Sequence, residues 1–371
     1  MILFLTEIRR RGFLMLDLKQ FGYIETEPTP DNLIPGRVME LQREQYTIIT
    51  EYGEVTAVLK GSFYHNAEMR EDFPCVGDFV FLQYNDDGPS LIVRLLPRRS
   101  KFSRADFSGH AAGYAKTILE QVVAANFDFV FIVTSLNKDF KVSRITRYLT
   151  QARQSGGQAV SVLTKADLVE DVEAPVSAVQ KAAPGIPVHA VSAHTGVGLN
   201  TLDDYLLPGK TVVFLGMSGV GKSSLLNVLM GQEAMTVNTI READSRGRHT
   251  TTHRQLFMLP SGAMVIDTPG MRELGLFNAD GGISVGFADV EELFTRCRFS
   301  DCGHRTEPGC AVIAALADGT LTREQWDTYL AQKQENKFVD DKASYLSDKR
   351  TWHKDLAKWS RQMKKNGKIR N

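Results

Sequence analysis

The run Gly216-Met217-Ser218-Gly219-Val220-Gly221-Lys222-Ser223, which fits a phosphate loop, lies downstream of Thr164-Lys165-Ala166-Asp167, which fits a guanine selector. Ordinary GTPases carry these two signals in the opposite order. Either one run is accidental, or a nucleotide-binding domain has been circularly permuted. Permutation restricts the fold to an open, mostly parallel α/β sheet with its motifs at the carboxyl ends of strands.

The patterning around the motifs suits such a sheet. Apolar runs at Phe129–Val133, Ala159–Leu163, Val188–Val191, Thr211–Leu215 and Ala263–Ile266 alternate with helical segments around Ile145–Gln154 and Thr201–Leu206. Continuous apolar strands imply a sheet covered on both faces. Before them, residues 36–96 read as five short alternating strands separated by turn signals such as Asn85-Asp86-Asp87-Gly88, the pattern of a small OB-like barrel. Such a barrel either holds nucleic acid or acts only as a spacer. From residue 286 the chain reads as helical and ends in a polar, basic tail.

Each motif has a chemical rationale. The phosphate loop follows strand Thr211–Leu215 and opens a helix over Ser223–Met230. Its glycines let backbone N–H groups approach phosphate oxygens, and the helix terminus adds its dipole. Lys222 would reach the β- and γ-phosphates and Ser223 would ligate Mg²⁺, with Ser224 beside it; the loop alone leaves ATP and GTP open. In Thr164-Lys165-Ala166-Asp167 the aspartate would accept the N1 and N2 hydrogens of guanine while the lysine stem covers the base. Thr164 replaces the usual Asn, which is expected to weaken coupling to the phosphate loop. Val191-Ser192-Ala193 fits a small loop backing the base, making Ser192 and Ala193 candidate contacts. Asp267-Thr268-Pro269-Gly270 ends strand Ala263–Ile266, so Asp267 would hold Mg²⁺ through water and the Gly270 N–H would meet the γ-phosphate.

Between these last two motifs lies Gly247-Arg248-His249-Thr250-Thr251-Thr252-His253. One threonine here is expected to close over Mg²⁺, and Thr251 is favoured. Met271 stands where many GTPases carry a water-orienting Gln, and a thioether cannot orient water. His249 is the candidate substitute; the alternative is a surface or RNA-facing histidine. Cys297, Cys302, His304 and Cys310 supply four ligands of the kind that closes a structural, tetrahedral zinc site.

Composition sets few further limits. Over 371 residues the formal net charge is zero and hydrophobic residues make up 43%, so no partner class is imposed globally and cores of ordinary size are available. Residues 94–104 nevertheless hold five bases and no acid, and Lys349–Arg370 holds nine bases against one acid. Each stretch either neutralises phosphates or forms a solvated face. The opening MILFLTEIRRRGFLM is too short to span a bilayer and has the wrong charge order for a secretory signal. Met15 is a second candidate start. Four cysteines make no disulfide framework.

Together the barrel, TKAD, GMSGVGKSSLLN, GRHTTTH, DTPG and the CRFSDCGHRTEPGC box resemble the bacterial small ribosomal subunit biogenesis GTPases, the ribosome small subunit-dependent GTPase A family, over roughly residues 15–340. The resemblance implies an N-terminal flank (1–35), an OB-fold domain (36–100), a circularly permuted GTPase domain (101–285) and a helical zinc-binding domain with basic tail (286–371). It implies GTP hydrolysis to GDP stimulated by the small ribosomal subunit, binding to that subunit and its rRNA, one structural Zn²⁺, and Mg²⁺ with the nucleotide. It also places the family's catalytic histidine at His249. A cytoplasmic monomer without membrane contact is expected. The competing readings are an ATP-using loop protein with an RNA-binding barrel, and a non-catalytic RNA-binding protein.

Overall fold

A computed structural model describes residues 8–10, 13–42, 44–67, 69–106, 119–137, 140–231, 254–267, 280–305 and 307–339. After a short hairpin of β1 (Ile8–Arg10) and β2 (Phe13–Met15), five strands close a barrel. They are β3 (Ile34–Gln42), β4 (Gln45–Thr50), β5 (Gly53–Leu59), β6 (Phe79–Gln83) and β7 (Ser90–Leu95), with helix α1 (Gly61–Asn66) between β5 and β6. The order is β3-β4-β5-β7-β6, and β6 returns to β3. Only β5 and β7 run parallel. This is the OB arrangement. Alternation along the strands turns Val38, Tyr46, Ile48, Ala57, Val80, Leu82 and Ile92 inward, all buried. The turn between β6 and β7 forms as its sequence dictates, with the Asn85 side chain accepting from the Asp87 N–H at 3.2 Å.

A link hairpin of β8 (Lys101–Asp106) and β9 (Leu119–Ala125) leads into the second unit. There β10 (Phe129–Ser135), β11 (Gln158–Thr164), β12 (Val188–Ala190), β13 (Thr211–Leu215), β14 (Gln255–Met258) and β15 (Met264–Asp267) form one sheet. Its order is β12-β11-β10-β13-β15-β14, with every pair parallel except β14–β15. Successive residues feed opposite cores. Val130 and Ile132 meet Ile145 and Leu149 of α2 (Val142–Gln154) and Val179 of α3 (Glu173–Ala182). Phe131 and Val133 join Leu225 and Leu226 of α4 (Lys222–Met230) on the other face. Two buried faces explain the unbroken apolar runs. Each fully buried side chain of this kind stabilises the fold by about 1.5–3 kcal/mol. The helical segment expected around 201–206 is present as a 3-10 helix, Leu199–Tyr205, which ends ahead of Pro208-Gly209.

The C-terminal helices α5 (Asp280–Gly286), α6 (Ala288–Thr295), α7 (Ala311–Asp318) and α8 (Arg323–Val339) enclose a separate core of Ile283, Phe287, Val290, Cys310, Val312, Leu321, Trp326 and Tyr329. No described helix is long and apolar enough to cross a membrane. Within the basic stretch 94–104, three of the bases lie on a solvated face and four pair with acids. Arg94 pairs with Glu27 at 2.8 Å, Arg98 with Asp78 at 2.7 Å, Arg99 with Asp128 at 3.9 Å and Lys101 with Glu71 at 3.2 Å. Arg98 and Asp78 form a two-point contact, the geometry that favours Arg over Lys.

Candidate functional site

Parallel pairing brings the carboxyl ends of β11, β12, β13 and β15 to one edge of the sheet, and the motifs collect there. The phosphate loop leaves β13 at Gly216, where an added Cβ would lie 2.3 Å from the Val133 carbonyl oxygen. No other residue fits so close to β10. Gly221 caps α4 in the left-handed region at φ 97. Met217, Ser218, Gly219 and Val220 complete the turn, with Ser218 and Gly219 exposed. The Lys222 ammonium donates to the Gly216 and Met217 carbonyls, both at 2.6 Å, which holds its charge inside the loop. Ser223 and Ser224 occupy the first turn of α4, where free N–H groups and the helix dipole favour an anion.

The selector touches this loop directly. Thr164 Oγ1 donates to the Val220 carbonyl at 2.5 Å, and Lys165 Nζ donates to the Gly219 carbonyl at 2.9 Å. Thr164, in place of the usual Asn, thus still contacts the phosphate loop, through its hydroxyl. Lys165 takes a left-handed backbone, φ 59, which turns the following Ala166 inward and leaves Asp167 exposed. Ser192, fully buried, donates to Asp167 Oδ1 at 2.5 Å and accepts the N–H groups of His194 and Thr195. That O–H bond is the main reason the Asp167 carboxyl sits below its ordinary pKa, with smaller help from its own backbone N–H, His194 and Lys165. Ala193 follows in the same loop. The arrangement presents an ionised carboxylate at the sheet edge beside the phosphate loop, which suits the paired N–H donors of guanine and not adenine.

Asp267 closes β15 and is 7% exposed. Ser223, in the first turn of α4, and Asp267, at the end of β15, offer hard oxygen donors, the donor type that suits Mg²⁺. His249, Thr251, Gly270 and Met271 lie outside the described residues.

In the C-terminal lobe, Cys297, Cys302, His304 and Cys310 bring their ligand atoms within 4.8 Å of one another. His304 Nδ1 is 3.6 Å from Cys297 Sγ and 3.5 Å from Cys310 Sγ, and the two sulfurs are 4.0 Å apart. A tetrahedron with bonds of about 2.3 Å to sulfur and 2.0–2.1 Å to nitrogen puts donors roughly 3.5–3.8 Å apart, so this group fits a metal ion. Desolvation pushes the Cys297 thiol up, but the Ala311 and Val312 N–H groups at the start of α7 and the neighbouring thiols hold it below its usual range. Phe294 stacks on the His304 ring at 4.3 Å and fixes its orientation.

Comparison with known proteins agrees with this arrangement. The sequence model of the RsgA GTPase family matches residues 95–277. The small ribosomal subunit biogenesis GTPase RsgA 2 of Lactiplantibacillus plantarum is 42% identical over 320 residues, 85% of this chain and 88% of that protein. The protein of the same name from Listeria monocytogenes is 46% identical over 301 residues, 81% of this chain and 83% of that protein. Among solved structures, YjeQ from Thermotoga maritima superposes with a TM-score of 0.59 at 26% identity, covering 82% of this chain and 98% of that one. YloQ, described as a circularly permuted GTPase, shares the fold at a TM-score of 0.54 and 23% identity, covering 84% and 96%. The inverted motif order is thus a permutation, and the chain belongs to the RsgA GTPase family.

Proposed function

We propose that this GTPase acts on the small ribosomal subunit, binding the subunit and its rRNA and hydrolysing GTP to GDP and phosphate late in subunit maturation. The observation that carries the reading is the direct bonding of Thr164 and Lys165 to the Val220 and Gly219 carbonyls, which joins base selection to phosphate binding within one site. The relatives named for small-subunit biogenesis supply the partner. Asp167, backed by Ser192 and Ala193, reads guanine. Residues 216–224 cradle the phosphates, with Lys222 neutralising charge on the β- and γ-phosphates. Ser223, Thr251 and Asp267 would hold Mg²⁺, which supplies further neutralisation when bound. Gly270 offers its N–H to the γ-phosphate, and His249 orients the attacking water. The metal suited to Cys297, Cys302, His304 and Cys310 is a structural Zn²⁺, since four soft or borderline protein ligands leave no open position. The chain divides into a flank (1–35), barrel (36–100), GTPase domain (101–285) and zinc lobe with basic tail (286–371), and works as a cytoplasmic monomer. The test is GTP turnover of the wild type and His249→Ala with isolated small or large subunits. Stimulation by small subunits alone, lost by about a hundredfold or more in the variant, is expected; stimulation that survives removes His249 from catalysis.

A further inference from the structure

Strand β3 belongs to the barrel, yet consecutive residues of it engage the GTPase sheet. The Arg37 guanidinium is fully buried and donates to the carbonyls of Phe21 (2.6 Å), Asn126 (2.8 Å) and Gly77 (3.2 Å) and to Thr211 Oγ1 (3.0 Å), at the start of β13. A bulge between Val38 and Glu40 then breaks the alternation. Val38 stays in the barrel core, whereas Met39 packs against the large cluster in which barrel residues Ile49 and Val76 meet Leu256 and Ile266 of the GTPase sheet. Glu40 follows and pairs with Gln255, the one β3–β14 register pair among the described residues.

Gln255 has a second partner. On its other side it pairs with Asp267. The parallel β13–β15 ladder stops one residue earlier, at Val213–Ile266, so among the described residues Gln255 is the ladder partner of Asp267. The barrel also abuts β15 through Gly77, at φ 91. A Cβ there would lie 2.1 Å from the Ala125 carbonyl oxygen and 2.9 Å from Ile266 Cδ1.

We infer that Met39, Glu40 and Gln255 are positioning residues for Asp267: the barrel sets, across two ladder steps, the strand end that carries this carboxylate. The inference rests on the proposal that Asp267 faces Mg²⁺. The row Glu40–Gln255–Asp267 crosses three strands, and Met39, the preceding residue of β3, packs against the cluster between barrel and sheet, where it would act as a wedge. A looser wedge lets β14 and the end of β15 drift together, which misplaces the carboxylate without touching the phosphate loop or the selector.

The test measures affinity for a fluorescent non-hydrolysable GTP analogue as Mg²⁺ is titrated. In Met39→Ala the Mg²⁺ concentration at half-effect rises roughly threefold to tenfold, the low end of what displaced supporting groups cost a metal site. Mg²⁺-free affinity for GDP stays within about twofold of wild type, a difference near 0.4 kcal/mol. Met39→Leu, which conserves volume, behaves as wild type. Glu40→Cys with Gln255→Cys in the Met39→Ala background offers a covalent repair. Directly opposed antiparallel residues have Cα atoms about 4.5–5.5 Å apart, within disulfide reach. Oxidation restores the wild-type Mg²⁺ curve and reductant reverses it, while Met39→Ala without the added cysteines responds to neither. An unshifted Mg²⁺ curve in Met39→Ala overturns the inference even if its melting temperature drops, as does a failed repair by the formed disulfide. Asp267→Asn separates the two levels. If it leaves the curve unmoved, the Mg²⁺ role of Asp267 fails; if it moves the curve and Met39→Ala does not, only the barrel's role fails.

Discussion

At Asp167 one hydroxyl is the main cause of a lowered pKa in the carboxylate proposed to read the base. The Ser192 O–H bond lowers its pKa, so the carboxylate remains ionised on acidification beyond the ordinary range. The sign follows from linkage: a carboxyl with a depressed pKa gives its contribution above the reference value and loses it as pH falls through the depressed one. In the proposed role of Asp167, guanine binding requires the ionised form. GDP affinity should therefore hold steady on titration from about pH 7 downward and fall only below the usual aspartate value near 3.9. In Ser192→Ala the loss should begin at higher pH, read from GDP titrations across that range. An onset at the same pH in both proteins would contradict the role of Ser192. TKAD and VSA are legible in the sequence as selector and backing loop, because local residue types define both. The Thr164–Val220 bond is not legible, since its partners lie far apart along the chain and meet only when β11 and β13 are placed.

Among the elements, α5 is the piece that joins the GTPase sheet to the C-terminal lobe. It packs on α2 at Gly282, where an added Cβ would lie 2.3 Å from the Thr150 carbonyl oxygen. Backbone on both sides cannot yield as a side-chain tip would. Gly282→Ala should cost about 1–3 kcal/mol by overpacking, seen as a lower melting temperature with GDP affinity retained. A melting curve equal to wild type would show that α5 is not held there. The barrel strands, the five parallel strands and α2 follow from periodicity and appear where the sequence predicts them. Strand β14 does not. QLFM is only four residues, too short for a periodic signal, and its strand state is created by β15 on one side and β3 on the other. The β3 bulge is equally silent, because Met39 would read as an outward residue of a regular strand.

For the molecule as a whole, the sheet and the C-terminal lobe differ in what holds their cores. The sheet has an extended apolar core on each face, whereas the lobe includes Cys310 in its small core, with Cys297 and Cys302 packed against it. Removing the metal should leave those thiols and His304 without a common partner, and a small lobe loses folding free energy with its ion. Chelation should release about one zinc per chain and red-shift fluorescence as Trp326, 6% exposed, meets water, while GDP binding persists. Loss of GDP binding together with zinc would mean the lobe supports the nucleotide site as well. The sequence by itself determined the set of motifs and their inverted order: residue types near strand ends mark the candidate phosphate loop and base selector, four clustered Cys and His residues mark a candidate metal group, and motif order is a property of the chain. Only the tertiary structure decided how the units are joined, through Arg37, Met39, the Glu40–Gln255–Asp267 row and the Gly282 contact. Those depend on strand register and close backbone approach between distant segments, which local patterning does not encode.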